Sequence, residues 1–488
     1  MPYVPGKQTT TMSEVFEGSC AVCGNAARTR CSRCKAVFYC GRKHQRSDWP
    51  RHKSACGVYE IHDNEYLGRH ILASRDIATE EVIFSEVPLV WGPLPHTNER
   101  ICVGCGNKNA LYKCPDCGWP ACSSTCKGLA GVVHVTECSI LKKAQLSPRC
   151  GYLLILRTLL LRERDPMSWR LINKLQSHEA KRGPDTEVYE EVETIIRYFN
   201  PILCGDSETR KILPNVCGLI DVNALETNPP EGCSAIYETS CLLEHRCIAN
   251  TRHTFTLDSD GRPRISVVAV KPIKKGEHIS TTYTHVLWST RLRQEHLLMT
   301  KYFTCHCERC ADPTELGSNL GTLKCICKNG FVTSSDPLEP DADWACDACP
   351  GVLSSAEVAQ LTNRLAEEVE AAMTVPVKDI MVDLLRRLTV LLHPCHQYCI
   401  TIGHSLIQLL SKDDPQKVEL CQRMLDTIAI VDPHKTRLTL YHAIALRELS
   451  MCPHQDKNDL LIRAMEVLQY EPVNSPGEIL ANIIFSEA

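Results

Sequence analysis

Across 488 residues there is no apolar run of the roughly 18 needed to cross a bilayer. The opening MPYVPGKQTTTMSEVFEG lacks the hydrophobic core of a secretory signal. A large charge of either sign is also missing. The formal net charge of −4 argues against a globally basic nucleic-acid binder, although it says nothing against a local basic patch. Together these absences predict a chain that stays in the reducing cytoplasm, the nucleus or both, with no membrane partner.

What the chain has in quantity is cysteine, 30 residues of it. A secreted protein would use these for a disulfide framework; in a reducing compartment, thiols at C-x-x-C spacing more often hold zinc. With 43% hydrophobic and 23% charged residues, the chain has material for sizeable cores. Its length suggests about three domains.

The cysteines are clustered. The first group is Cys20, Cys23, Cys31, Cys34, Cys40, His44, His52 and Cys56, eight soft donors that fit two tetrahedral zinc sites. So short a segment buries too little apolar surface to fold unaided, so metal binding has to supply much of its folding free energy. Nine basic side chains against Asp48 in residues 28–53 form a patch of net +8, read mainly as a solvated face, with nucleic acid as the less favoured partner. A second group repeats the scheme with Cys102, Cys105, Cys114, Cys117, Cys122, Cys126, His134 and Cys138. Cys305, Cys307 and Cys310 supply three ligands and need a fourth from elsewhere. Cys325, Cys327, Cys346 and Cys349 form a self-sufficient zinc ribbon.

Between the clusters, residues 66–93 read as two or three short strands. Residues 148–199 turn helical, and 216–283 return to strand-like segments, including VCGLIDVNAL, with a hairpin turn at Asp258–Gly261. After Ser354, amphipathic helices separated by proline-containing breaks suggest a tetratricopeptide-like repeat or an irregular helical bundle.

The spacing of the first cluster, with Tyr39 before Cys40, resembles the MYND zinc finger. His44 stands where that family has cysteine. The resemblance implies interleaved sites: Cys20, Cys23, Cys40 and His44 in one, Cys31, Cys34, His52 and Cys56 in the other. Gln45 and Trp49 match that family's peptide-binding pair, implying a proline-rich partner. The second cluster resembles another MYND-like module with Lys127 and Gly131 at those two places, and is read as structural.

GRHILASRDIATEEVIF, DVNALET, LLEHRCIANTRHTF, GEHISTTY and YFTCHCERCADPTE resemble, in order, the successive segments of a SET methyltransferase domain. The chain as a whole is similar to the SMYD (SET and MYND) family, particularly its arthropod SmydA branch. The implied fold is α+β. A MYND finger over 15–56 precedes a β-rich SET domain over 60–310. That domain is split by the second zinc module (102–138) and a helical insert (147–200), and carries a post-SET zinc element (303–310). A ribbon (320–352) and an all-α domain (354–488) follow.

The resemblance implies a monomer that uses S-adenosylmethionine to methylate a lysine of a protein substrate. It implies Tyr283 as the catalytic residue; Gly68, Arg69, Asn223, Glu244, His245 and Phe303 around the cofactor; and Cys247 as the fourth post-SET ligand, for six zinc ions in all. Nine cysteines are then left over, and most of them read as buried apolar residues. Several positions depart from the family pattern: His70 replaces the second glycine, Glu244 the asparagine before His245, and Arg246 and Ala249 a serine and a proline. Lys301 stands at the second channel tyrosine, with Tyr302 one place late. These departures support an alternative, a SET scaffold without turnover that recruits partners through its MYND and helical surfaces.

Overall fold

Along strand Pro263–Ala269 burial alternates: Pro263, Ile265, Val267 and Ala269 face inward, and the residues between them are half-buried. This is the period-two pattern of a strand with one face on a core. The computed structural model describes residues 18–31, 37–203, 207–473 and 475–487. In it, this strand lies between Thr251–Leu257 and Val82–Glu86, antiparallel to both. The expected turn joins the first two strands: Asp258 accepts from the amides of Asp260 and Arg262, and Gly261 takes a positive φ of 74°.

A second three-stranded sheet is ordered Leu225–Thr227, Cys233–Ile236, Val90–Pro93. The hairpin Tyr59–Asn64 and Gly68–Ala73 forms a further edge, pairing Asn64 with Gly68. A short parallel pairing sets Glu244 opposite Ser280 and His245 opposite Thr281. One core runs beneath these strands, including Ile71, Ile83, Ile265, Val267 and Ile279.

Residues 216–225, expected to be strand-like, do not all extend. Most complete the helix Ser207–Asn223, and only Leu225 enters a strand. Leu213, Val216, Cys217 and Ile220 recur at helical spacing and are buried with helix Leu153–Arg164 and helix Glu187–Leu203. A short, largely apolar run cannot by itself separate a strand from a buried helix, and here packing decided.

The zinc-module segments carry very short strands followed by one helix each, Arg42–Ala55 and Val132–Ala144. The segment around Cys325–Cys349 is a four-stranded antiparallel sheet, Leu323–Lys324, Phe331–Ser334, Trp344–Cys346 and Val352–Leu353. From Ser355 on, seven helices follow among the described residues, ending with Pro476–Glu487. Ser354 and Glu357 cap the first of them reciprocally. A single apolar core joins Val286 and Leu287 through Leu323 and Val332 to these helices. Among the described residues, no helix is long and apolar enough to cross a membrane.

Candidate functional site

The cysteine clusters assemble into closed donor sets. Cys20, Cys23, Cys40 and His44 converge, as do Cys102, Cys105, Cys122 and Cys126; Cys114, Cys117, His134 and Cys138; Cys247, Cys305, Cys307 and Cys310; and Cys325, Cys327, Cys346 and Cys349. Sulfur–sulfur separations are 3.8 Å for Cys23–Cys40, 3.6 Å for Cys105–Cys122, 3.8 Å for Cys114–Cys138 and 3.6 Å for Cys325–Cys349. Four thiolates about 2.3 Å from a central zinc stand about 3.8 Å apart along the tetrahedron's edges, so the donors fit zinc. They do not fit a disulfide, whose sulfurs lie about 2.05 Å apart. Every described cysteine is a free thiol. In the first module, Cys31 and Cys56 also meet at 3.5 Å, and His52 is buried. Cys34 lies outside the described residues.

Two of these sets rest on buried charge that the sequence reading missed. His134 turns Nε2 to Cys114, and its Nδ1 is 3.0 Å from Glu137. Arg157 donates twice to Glu137 at 2.8 Å and also to the carbonyls of Trp91 and Val103. Glu137, 0% exposed, is held below its ordinary pKa by Arg157 and His134 against the penalty of burial. A carboxylate behind a metal-ligating imidazole fixes its tautomer and orientation. The three-residue spacing of His134 and Glu137 on one helix face was a usable signal. The partnership with Arg157 was not, because it depends on packing. At the other set, Arg293 lies 3.2 Å from Cys247 and 2.7 Å from Glu315, placing a guanidinium beside the thiolates.

Cys247 ties that metal centre to an aromatic site. His245 approaches the Cys247 thiol through Nε2 at 3.4 Å and accepts the Tyr283 amide through Nδ1 at 2.9 Å. Both ring nitrogens are therefore engaged. The Tyr283 hydroxyl donates to the Leu243 carbonyl. The rings of His245, Tyr283 and Phe303 form a triangle, with centroids 5.2, 6.0 and 6.4 Å apart. Burial raises the Tyr283 pKa above its ordinary value, so the phenol stays protonated. The strand before Tyr283 is laced to the preceding segment by Asn250, which accepts the Ser280 amide at 2.8 Å and donates to the His278 carbonyl at 2.7 Å. The sequence reading had not singled out Asn250.

The other candidates make contacts of their own. Gly68 opens its strand at φ 63°, a conformation favouring glycine. Arg69 donates to the Lys174 carbonyl at 2.8 Å. Asn223 donates to Gln176 at 2.8 Å and to Leu219 at 2.9 Å. Both therefore hold the 174–176 segment. His70 turns its ring inward, 3% exposed, and stacks on His278 at 5.2 Å and 11°. His278 in turn contacts Glu244 at 2.5 Å. Two of the positions that depart from the family pattern are thus joined through a third residue into one cluster.

Lys301 points in toward Tyr283, with Nζ 5.9 Å from that ring's centre. Burial lowers its pKa, while Cys241 and Asp221 oppose the shift. Tyr302 takes φ 61° and packs on His178 at 4.8 Å. On helix Arg42–Ala55, Gln45 and Trp49 are one turn apart, and Trp49 is 38% exposed.

Comparison with known proteins matches the MYND finger family over residues 20–56 and the SET domain family over residues 68–284. SET domain-containing protein SmydA-8, isoform B, of Drosophila melanogaster is 28% identical over 381 residues, 72% of this chain and 78% of that protein. Histone-lysine N-methyltransferase ASHR1 of Arabidopsis thaliana is 24% identical over 340 residues, covering 63% and 67%. Human N-lysine methyltransferase SMYD2 is 23% identical over 291 residues, covering 58% and 47%. A solved SET domain of LSMT bound to lysine and AdoHcy aligns over 90% of this chain and 97% of that one, at 12% identity and a TM-score of only 0.34.

Proposed function

Because the chain belongs to the SET and MYND domain proteins, we propose that it transfers a methyl group from S-adenosylmethionine to a lysine of a protein substrate. One observation carries the reading: Tyr283 is locked at its amide by His245 and at its hydroxyl by Leu243, against Phe303 and directly in front of the Cys247 metal centre.

S-adenosylmethionine, when bound, supplies an electrophilic methyl group on a sulfonium. The protein's task is to present a neutral amine to it, although lysine ordinarily titrates near 10.4. A desolvated channel beside a positive sulfonium lowers that pKa by burial and by like-charge repulsion. The Tyr283 hydroxyl donates its proton to Leu243, which leaves its oxygen lone pairs free to accept weak C–H···O contacts from a polarised methyl. Phe303 offers an aromatic face for an adenine, and this reading assigns Gly68, Arg69, Asn223, Glu244 and His245 to the rest of the cofactor. Zinc at the five converged sets holds the modules, and a sixth ion belongs to Cys31, Cys34, His52 and Cys56. Gln45 and Trp49 would receive a proline-rich segment, and a cytoplasmic or nuclear setting suits the free thiols.

A second reading is favoured by the His70–His278–Glu244 cluster. There Glu244 already has a partner, His278, which supports a scaffold that binds proteins without turnover. Calorimetry with S-adenosylmethionine on the zinc-loaded protein separates the two. Saturable binding, together with transfer of labelled methyl into extract proteins that Tyr283→Phe abolishes, is the expected result. No heat of binding at saturating cofactor leaves the scaffold.

A further inference from the structure

The proposed transfer site already contains an amine. Lys301 ends helix Thr290–Lys301, and its side chain turns into the protein. Its Nζ donates to the Val222 carbonyl at 2.6 Å and lies 3.5 Å from the Asp221 carbonyl, both at the C-terminal end of helix Ser207–Asn223. The same nitrogen stands 5.9 Å from the centre of the Tyr283 ring. Among the described residues no carboxylate forms an ion pair with Lys301; the nearby Asp221 carboxylate is engaged by Arg182 and faces His96. Helix-terminal carbonyls carry partial negative charge, and an aromatic face attracts a cation, so both surroundings suit an ammonium. Neither neutralises it as a carboxylate would.

We propose that Lys301 is an internal occupant of the amine position beside Tyr283, a specificity-determining residue whose ammonium favours a neutral thioether over a sulfonium-bearing donor. The inference rests on the cofactor reading above. In the transfer, an incoming amine that has released its proton to solvent attacks the methyl carbon. A carbon–nitrogen bond forms, the carbon–sulfur bond breaks, and its electron pair turns the sulfonium into a neutral thioether. A resident ammonium therefore opposes the donor before transfer and leaves the product unopposed. It also opposes a second ammonium, so an external lysine must arrive neutral and displace Lys301 from the Tyr283 face.

The test is calorimetry on the zinc-loaded, full-length protein with S-adenosylmethionine and S-adenosylhomocysteine measured separately. Wild-type protein should bind the homocysteine form at least roughly tenfold more tightly, as expected for two charges several ångströms apart in an effective dielectric of about 20. Lys301→Met should collapse that ratio and Lys301→Arg should keep it; Lys301→Gln repeats the neutral test if the methionine variant does not fold. Equal affinities in the wild type, a reading that needs no variant, overturn the inference, and so does an unchanged ratio in the neutral variants. If neither cofactor binds any form, the cofactor site itself is wrong and the inference falls with it.

Discussion

His396 is buried and His253 half-buried, and both are kept neutral: loss of solvation pushes each pKa down to about 3, with smaller contributions from Arg437 at His253 and from His393 at His396. Unfolded, they titrate near 6.5. As pH falls below 6.5 the unfolded chain takes up protons that the folded one refuses until about pH 3. The stability these residues contribute is therefore complete above 6.5 and is lost on the way down. At pH 5 that loss is about 2 kcal/mol for each group. Denaturant unfolding should show a drop between pH 7 and pH 5 that His396→Asn narrows. Asparagine keeps an acceptor for the Tyr398 amide, which His396 now caps at 3.2 Å, without a titratable ring. Glu137 makes a second case at this scale. Glu137→Ala leaves the Arg157 guanidinium buried without its carboxylate, an expected cost of about 3–5 kcal/mol. The same change should weaken metal at His134 tenfold or more, read by competition with a colorimetric chelator.

At the scale of the element, the second zinc module depends on backbone proximity as much as on its ligands. A Cβ added at Gly128 would stand 2.2 Å from the Gly104 carbonyl oxygen, and one at Gly104 would stand 2.7 Å from backbone of residues 128 and 129. These two glycines let the chain close around Cys102, Cys105, Cys122 and Cys126. Gly128→Ala should therefore release one zinc ion per chain and lower the unfolding midpoint, whereas Gly183→Ala, where nothing lies within 4 Å, should do neither. The helices were legible where one face was apolar and the other polar: Pro415–Val431 is one of the amphipathic helices expected after Ser354. Helix Ser207–Asn223 was misread across 216–223 because Val216 to Ile220 are buried in succession, which obscures the helical spacing.

For the molecule as a whole, the SET sheets, the ribbon and the C-terminal helices behave as one packed body. Arg437, in the loop before helix Thr439–Ser450, donates to the Thr281 hydroxyl at 2.6 Å, two residues before Tyr283. The guanidinium of Arg252 lies 3.9 Å from the centre of the Tyr470 ring, and the Ser289 amide donates to Gln397 at 2.7 Å. Arg437→Met should reduce methyl transfer while leaving zinc content unchanged, because it loosens the short strand Ser280–Thr281 that leads into Tyr283 and touches no metal ligand. Elemental analysis of the native protein should return six zinc ions per chain. A strong chelator should remove them with loss of near-ultraviolet circular dichroism, since modules this small have little else to hold them.

The sequence by itself determined the metal chemistry and the kind of protein. Thiol and imidazole spacings within a cluster are local, so those donors converge however the rest of the chain packs, although Cys247 joins its set from a distant segment; the motif order marked both the finger and the SET domain. Only the tertiary structure decided what surrounds those motifs. Glu137 meets Arg157, His70 reaches Glu244 through His278, and Lys301 turns inward onto Tyr283. Each of these contacts joins residues whose neighbours in sequence say nothing of one another. A buried charge or ring takes its partner from whatever the packed core places within reach, and no local periodicity records that choice.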